Sequence, residues 1–229
     1  MSPTQNLPSH FDLPEDAFHY LLLQRTAYQS GFAKRMFRRL GLRSVYDRYL
    51  LPYLDTNSIE ELSERYYSDV SDDYETICEY LPSTVNRVLD IGCGVGGIDV
   101  LLNDHYQQHP EFYLLDKSTM TKIYYFFNPN PAAYNSLSVT AEFLRRNGLR
   151  SSHITLVDID EEDFPRDVRF ELVISLLSWG YHYPVETYLD QVTSVLSPEG
   201  TVILDVRKST ESIDTLRDAF RDITYAEED

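Results

Sequence analysis

Apolar residues follow two different periods along the C-terminal two thirds of the chain. Short apolar runs, each long enough for one buried strand, alternate with segments whose apolar residues recur every three or four positions, as on a helix face. The strand-like runs lie at residues 88–91, 111–116, 153–157, 171–179 and 201–206. Strands that alternate with helices build parallel sheets covered on both faces. We therefore predict an α/β protein with a Rossmann-like, doubly wound, mostly parallel sheet.

The N-terminal part of the chain has a purely helical pattern after a proline-containing arm. Apolar residues at helical spacing run from residue 15 to about residue 54, with interruptions at glycines and a proline. The sequence Ser58-Ile-Glu-Glu61 has the form of a capping box and predicts a helix start, and a second start is expected near Ser71. We predict an arm and helical extension or lid over residues 1–82 and a Rossmann-like domain over residues 83–229.

Composition argues against several classes of protein. The formal net charge of −17 disfavours a sequence-independent grip on nucleic acid or anionic lipid, since both need clustered Lys and Arg. Basic residues between Arg25 and Arg43 form either a local partner surface or a solvated helix face. Cys78 and Cys93 lie in different predicted elements, which argues against a disulfide framework. Neither a long apolar run nor a secretion signal is visible, so we expect a cytoplasmic protein without a membrane span.

The stretch Val88-Leu-Asp-Ile-Gly-Cys-Gly-Val-Gly-Gly97 carries the clearest chemical signal, because a buried strand runs into a glycine turn that opens a helix. Gly92, Gly94 and Gly97 allow close approach of a ligand, and the N–H groups at the helix start are expected to be free for it. The spacing also satisfies the dinucleotide fingerprint, so the glycines leave two ligand classes open. Asp90 favours one of them, because a carboxylate repels a pyrophosphate but suits the cationic methionine end of S-adenosylmethionine.

In this form the stretch resembles the first motif of the class I methyltransferases, and the resemblance extends over about residues 87–207. It implies a methyltransferase that uses S-adenosylmethionine as its cofactor. The resemblance places the following motif residues against that cofactor: Asp90, Gly92, Cys93, Gly94 and Gly97.

Residues at the ends of the next predicted strands complete the implied cofactor site. Asp116 ends the second strand 19 residues after Gly97, where such folds place a carboxylate for the ribose hydroxyls. In the methyltransferase pattern Asp158 accepts the adenine amino group and Ile159 packs beside the ring. Ser175, in the fourth strand, is assigned to the same site.

The end of the chain is short for this class. A helix is predicted at residues 212–220 and a strand at residues 223–225. Class I methyltransferases usually have two more strands after the fifth, so we expect either a sheet that lacks the last strand or a truncated chain.

Aromatic residues after the fourth predicted strand indicate the site of the methyl acceptor. Trp179, Tyr181 and Tyr183 are predicted to bind substrate. His182 is predicted to act as the catalytic base, because its unperturbed pKa allows proton transfer near neutrality. Tyr181, Tyr183 and Asp205 are reserve candidates for that role.

Two further aromatic groups leave alternatives open. Tyr134 belongs to a proline-broken aromatic segment at residues 120–136, which suits an acceptor pocket, packing under the N-terminal helices or a homodimer contact. The pair Tyr66-Tyr67 suits either a lid over the cofactor or ordinary packing of an amphipathic helix.

The stretches 175–184 and 134–144 are similar to sugar O-methyltransferases of bacterial surface and glycan pathways. This similarity implies a small-molecule substrate with a carbohydrate hydroxyl as methyl acceptor. An N- or O-methyltransferase of a secondary metabolite, a non-catalytic cofactor-binding subunit and a nicotinamide enzyme stay open as alternatives. No cluster of His, Cys, Asp or Glu has convincing metal spacing, and we expect no metal.

Overall fold

The structure is a computed structural model, and it describes residues 10–28, 35–37, 39–42, 58–118, 135–207 and 212–226. Its α-helices are α1 (Ala17–Gln24), α2 (Ile59–Ile77), α3 (Gly97–His105), α4 (Leu137–Arg146), α5 (Leu189–Val195) and α6 (Ser212–Ala219). Its strands are β1 (Arg87–Ile91), β2 (Glu111–Asp116), β3 (Ile154–Asp158), β4 (Phe170–Ser175) and β5 (Leu196–Leu204).

The five strands form one parallel sheet in the order β3-β2-β1-β4-β5. Strand β1 is central, and its Leu89 pairs with Tyr113 on one side and Val173 on the other. The strand order reverses direction between β1 and β4, and ligands of such sheets bind at this switch point, beyond the carboxyl ends of the strands. The predicted α/β class with a parallel, Rossmann-like sheet is confirmed.

Both faces of the sheet are covered, which explains the nearly continuous apolar runs of the strands. Val88 and Leu172 point into a core formed with α1, α2, α3 and α4. Their neighbours Leu89 and Val173 point into a second core formed with α5 and α6. The period of two along each strand therefore separates two hydrophobic layers.

Helix α2 begins with the predicted capping box, in which Glu61 and Ser58 exchange backbone-to-side-chain hydrogen bonds. The helix then continues unbroken to Ile77, so the predicted second start near Ser71 is wrong. The reason is that Val70, Tyr74 and Ile77 extend one buried face across this position.

The N-terminal extension is docked onto the sheet domain through aromatic and polar contacts. The ring of Phe11 lies 5.3 Å from the rings of both Tyr66 and Phe143. Asn147, at the end of α4, bonds the backbone N–H and carbonyl of Asp12 at 2.9 and 3.0 Å. Helices α1 and α2 therefore lie on the same face of the sheet as the glycine loop and α3.

Several predicted boundaries are wrong for local reasons. Strand β4 ends at Ser175 rather than residue 179, because positive φ angles at Leu177 and Gly180 turn the chain. Strand β5 already begins at Leu196, with an irregularity where it pairs with β4. Residues 223–225 form no strand.

Other predictions fall on residues that the structure does not describe. These include most of the helices expected between residues 29 and 57, the aromatic segment up to Tyr134, and the basic residue Arg43. In the described parts of the chain, every helix is too short or too polar to cross a membrane.

Candidate active site

The candidate site lies at the carboxyl edge of the sheet, where the segments that follow β1, β2, β3 and β4 meet. Asp90 is the penultimate residue of β1, and Asp116 and Asp158 pair with each other at the ends of β2 and β3. Because all these strands are parallel, the topology brings the three predicted acidic residues to one edge.

The glycine loop between β1 and α3 depends on left-handed backbone conformations and on close contacts. Gly92, Gly94 and Gly96 have φ angles of +79°, +55° and +90°, which other residues rarely adopt. A Cβ atom on Gly97 would lie 2.5 Å from the hydroxyl oxygen of Tyr66. The glycines are therefore required by the fold of the loop itself, whatever ligand it binds.

The N–H groups of the glycine loop already have partners within the chain. Gly92 donates to the carbonyl of Leu115 at 2.7 Å, and Gly94 donates to a carboxylate oxygen of Asp116 at 2.9 Å. Gly97 donates to the hydroxyl of Tyr66 at 2.9 Å. Among the N–H groups at the helix start, which we expected to be free, that of Gly97 is therefore already bonded, because Tyr66 of helix α2 covers it.

Asp116 holds the glycine loop in place with its carboxylate. One oxygen accepts from Gly94 and from the side-chain amide of Asn135 at 2.9 and 3.0 Å, and the other accepts from the Lys117 N–H at 2.7 Å. Burial raises the pKa of Asp116, although these hydrogen bonds favour its ionised form. A carboxylate has about four acceptor positions, so one remains for a ligand hydroxyl.

Asp90 lies beneath the loop together with a carboxyl that the sequence did not single out, Asp99 of α3. Their residue surfaces are 3% and 0% exposed. Burial raises the pKa of Asp90 well above its usual range, and the charge of Asp99 raises it further. Burial also raises the pKa of Asp99, to about 7.

A cavity of only about 10 Å³ lies beside Gly92 and Asp116, and Ile159 and Tyr183 line it. This volume holds about one water molecule. The space next to Gly92 is taken by Ser178, whose side chain would overlap a Cβ atom added to that glycine. Ile159 and Tyr183 thus line this small cavity, and their contacts with adenine and substrate stay predictions.

Asp158 uses its carboxylate differently from Asp116. Its two oxygens accept hydrogen bonds from the backbone N–H groups of Ser118 and Asp160, each at 3.2 Å. These bonds shape the loops after β2 and β3. A contact between Asp158 and adenine stays a prediction.

The segment 176–184, here called the β4 turn, carries the residues predicted for substrate and catalysis. It is tightly folded, because the carbonyl of Ser178 accepts from the N–H groups of Tyr181, His182 and Tyr183. The hydroxyl of Ser175 donates to the Ile91 carbonyl at 2.7 Å and accepts from a backbone N–H of the turn at 2.8 Å. Ser175 is fully buried and therefore positions the turn rather than facing a ligand.

Trp179 does not have the role predicted for it. Its side chain is 0% exposed and packs in the second core, and its indole N–H donates to the Val185 carbonyl at 2.7 Å. A buried ring with a satisfied N–H cannot stack on a sugar. The prediction failed because the left-handed Leu177 and Gly180 fold this side chain back under the sheet.

His182 and Tyr181 lie on the outer side of the β4 turn. His182 is exposed, and its ring meets that of Tyr181 edge to face at 5.1 Å. The guanidinium of Arg207 lies 4.5 Å from the centre of the Tyr181 ring. Desolvation and the charge of Arg207 lower the pKa of His182, which keeps its imidazole neutral at neutral pH. Burial raises the pKa of Tyr183 to about 12, which disfavours it as a base.

Several residues at the glycine loop escaped the sequence analysis because they come from distant segments. The side-chain oxygen of Gln24 lies 3.0 Å from a Cβ position on Gly94, and Thr140 donates to the carbonyl of that glycine at 2.6 Å. Asn135 donates to the same carbonyl at 2.8 Å. Nothing in the local sequence marks these contacts. The reserve candidate Asp205 accepts the Leu177 N–H at 2.8 Å and so braces the β4 turn.

A family model described as a methyltransferase domain matches residues 32–229. The chain belongs to this methyltransferase family. The resemblance noted in the sequence is thereby confirmed, and with it S-adenosylmethionine as the cofactor of the family. No protein of curated function matches the chain.

Solved structures similar to the chain include three methyltransferases. StiE O-MT has 17% identity and a TM-score of 0.43, with 76% of this chain and 50% of that one covered. Precorrin-6y C5,15-methyltransferase from Geobacter metallireducens GS-15 has 19% identity and a TM-score of 0.42, with coverages of 63% and 64%. The glycopeptide N-methyltransferase MtfA, complexed with S-adenosylmethionine, has 21% identity and a TM-score of 0.39, with coverages of 60% and 53%. The chain thus spans between half and two thirds of the length of these structures.

The donor set at the sheet edge fits S-adenosylmethionine. Asp116 keeps an acceptor position for a ribose hydroxyl, and the buried carboxyl of Asp90 suits a cationic group. The space fits less well, because pockets for ligands of this size measure about 300 Å³ or more. The residues therefore match the cofactor once Ser178 is displaced from Gly92.

The contact between Gly92 and Ser178 predicts a large penalty for Gly92→Ala. Both Gly92 and Gly148 have positive φ angles, so alanine strains the backbone at each by about 1–2 kcal/mol. A Cβ on Gly148 meets nothing within 4 Å, whereas a Cβ on Gly92 overlaps Ser178. We expect urea unfolding to show that Gly92→Ala loses at least about 1 kcal/mol more than Gly148→Ala. Equal losses would show that Ser178 does not occupy this space.

The raised pKa of Asp99 predicts a pH-dependent effect of Asp99→Asn. The folded-state pKa of about 7 lies above the usual 3.8, so the stability that protonated Asp99 contributes is complete below about pH 4 and lost as the pH rises through 7. An amide does not ionise. We expect Asp99→Asn to melt at least about 3 °C above the wild type near pH 8, with a smaller advantage near pH 5. Thermal melts showing the same difference at both pH values would contradict this.

Proposed function

We propose that the chain transfers the methyl group of S-adenosylmethionine to a hydroxyl of a small molecule, a sugar or glycan precursor. The observation that carries the proposal is the meeting of Asp90, Asp116 and the β4 turn at one sheet edge in a chain of the methyltransferase family. Asp116 would hold the ribose, Ile159 would pack beside the adenine, and Asp90 would face the methionine end. When bound, the cofactor supplies an electrophilic methyl group.

The chain itself would contribute position and proton transfer. Methyl transfer is an in-line displacement, so the two reactants need a near-attack geometry and a hydroxyl acceptor needs a base. His182 would take the proton of that hydroxyl, since its lowered pKa keeps the ring neutral. Tyr181 and Tyr183 would flank the acceptor from the same turn.

A groove of about 780 Å³ supports a hydroxyl-rich acceptor. Its lining combines carboxylates, hydroxyls and aromatic rings: Glu15, Asp16, Phe18, His19, Tyr20, Ile59, Ser136, Ser138 and Val139. Carboxylates accept hydrogen bonds from sugar hydroxyls, and aromatic rings pack on the apolar faces of sugars. Asn135 directly precedes the groove residue Ser136 in sequence and donates to Asp116, so the chain runs from the groove to the cofactor edge here.

The proposal is tested by measuring S-adenosylhomocysteine formation against panels of sugars, amines and phenols. We expect turnover with sugars. His182→Gln is expected to lower kcat about 100-fold or more with unchanged cofactor affinity, and Tyr181→Phe, from the same turn, is expected to change kcat far less. The wild-type rate should rise with pH through a midpoint below the ordinary histidine pKa of about 6.5, because the pKa of His182 is lowered.

The remaining outcomes of these assays would each change the proposal. Turnover only with amines or phenols would favour the methyltransferase of a secondary metabolite. Cofactor binding without turnover in any panel would favour a non-catalytic binding subunit. Full activity of His182→Gln would remove this residue from the mechanism.

A further inference from the structure

Asp99 is a buried carboxyl for which neither the fold nor the proposed transfer reaction has given a use. It is the third residue of α3 and is fully buried. In the described part of the chain, the groups in hydrogen-bonding range of its oxygens are the Asp90 carboxyl and its own backbone N–H, and neither makes a well-formed bond to them. Two adjoining buried carboxyls with so few donors are costly, so this arrangement needs a proton, a cation or both.

Asp99 lies inside the curve of the glycine loop, next to Asp90. Its Oδ2 is 3.4 Å from a Cβ position on Gly96, and the charges of the two carboxyls act on each other. The charges of both carboxyls also raise the pKa values of Tyr66 and Cys93.

The other groups around this pair do not neutralise it. Tyr66 faces it from α2, Cys93 from the loop and Asp116 from β2, and none of these is a cation. The guanidinium of Arg25 lies 5.4 Å from the centre of the Tyr66 ring but pairs with carboxylates of α2, Asp69 and Asp73. The N-terminus of α3 favours a single negative charge nearby.

Two adjacent buried carboxyls cannot both ionise at low cost, so the pair titrates as a unit that retains a proton. We propose that Asp90 and Asp99 together form the subsite for the cofactor's ammonium group, and that they share one proton which leaves when the ammonium arrives. Protons and charge balance in this step. The free pair holds one proton and carries one negative charge. On binding it releases that proton to solvent, and the two carboxylates pair with the bound ammonium. This inference rests on the proposed cofactor and adds Asp99 to its site.

The test is calorimetric titration of S-adenosylhomocysteine, which carries the ammonium and cannot react. Titrations near pH 7.5, above the pKa of about 7 of Asp99 and below the usual pKa of an α-ammonium, are repeated in buffers of different ionisation enthalpy. The slope of the observed binding heat against the ionisation enthalpy of the buffer gives the number of protons released per ligand bound. We expect close to one proton per ligand for the wild type and close to none for Asp99→Asn. The affinity of the wild type should rise by up to about tenfold per pH unit while the pair holds its proton.

Asp104→Asn is the matched control, because Asp104 lies at the other end of α3, and this variant should release as many protons as the wild type. The proton count of the wild type is a test by itself. The proposal can therefore be contradicted even if Asp99→Asn folds poorly. Binding without proton release, or equal release by all three proteins, overturns it and leaves the proposed function standing. Failure of both S-adenosylhomocysteine and S-adenosylmethionine to bind overturns the proposed function as well.

Discussion

The hydrogen bond from the Gly94 N–H to Asp116 ties the glycine loop to the end of the neighbouring strand, and the candidate site depends on it. The bond forms because β1 and β2 are parallel neighbours, so that the loop after one strand passes the carboxylate that ends the other. Asn135 donates both to that carboxylate and to the Gly94 carbonyl. Three segments far apart in sequence are thereby held at one point.

The N-terminal extension packs directly on the same loop. Gln24 of α1 lies against Gly94, and Tyr66 of α2 accepts the N–H of Gly97. Of the two tyrosines that suggested a lid, Tyr66 is therefore the one that touches the loop. Its contact also explains why Gly97 has no side chain, since any Cβ there would overlap the phenol. The extension thus contacts the glycine loop through both α1 and α2, in addition to covering the sheet.

Features that depend on local periodicity were predictable from the sequence. The buried strand β1, the capping box at Ser58 and the acidic end of β2 each have a signature within a few residues. Trp179 was not predictable, because its burial depends on left-handed backbone at Leu177 and Gly180. Asp99 looked like an ordinary acid in a first helical turn. Its burial beside Asp90 arises only when the glycine loop and the neighbouring helices come together.

The central claim is that the sheet edge around Asp116 binds S-adenosylmethionine, and calorimetric titration with this cofactor, S-adenosylhomocysteine and NAD tests it most directly. Asp116→Ala removes the carboxylate at the end of β2, and Glu111→Ala, at the exposed start of the same strand, is the control. We expect the wild type and Glu111→Ala to bind S-adenosylmethionine and S-adenosylhomocysteine but not NAD, and Asp116→Ala to bind none of the three. Preferential binding of NAD, or unchanged affinity of Asp116→Ala for S-adenosylmethionine, would contradict it.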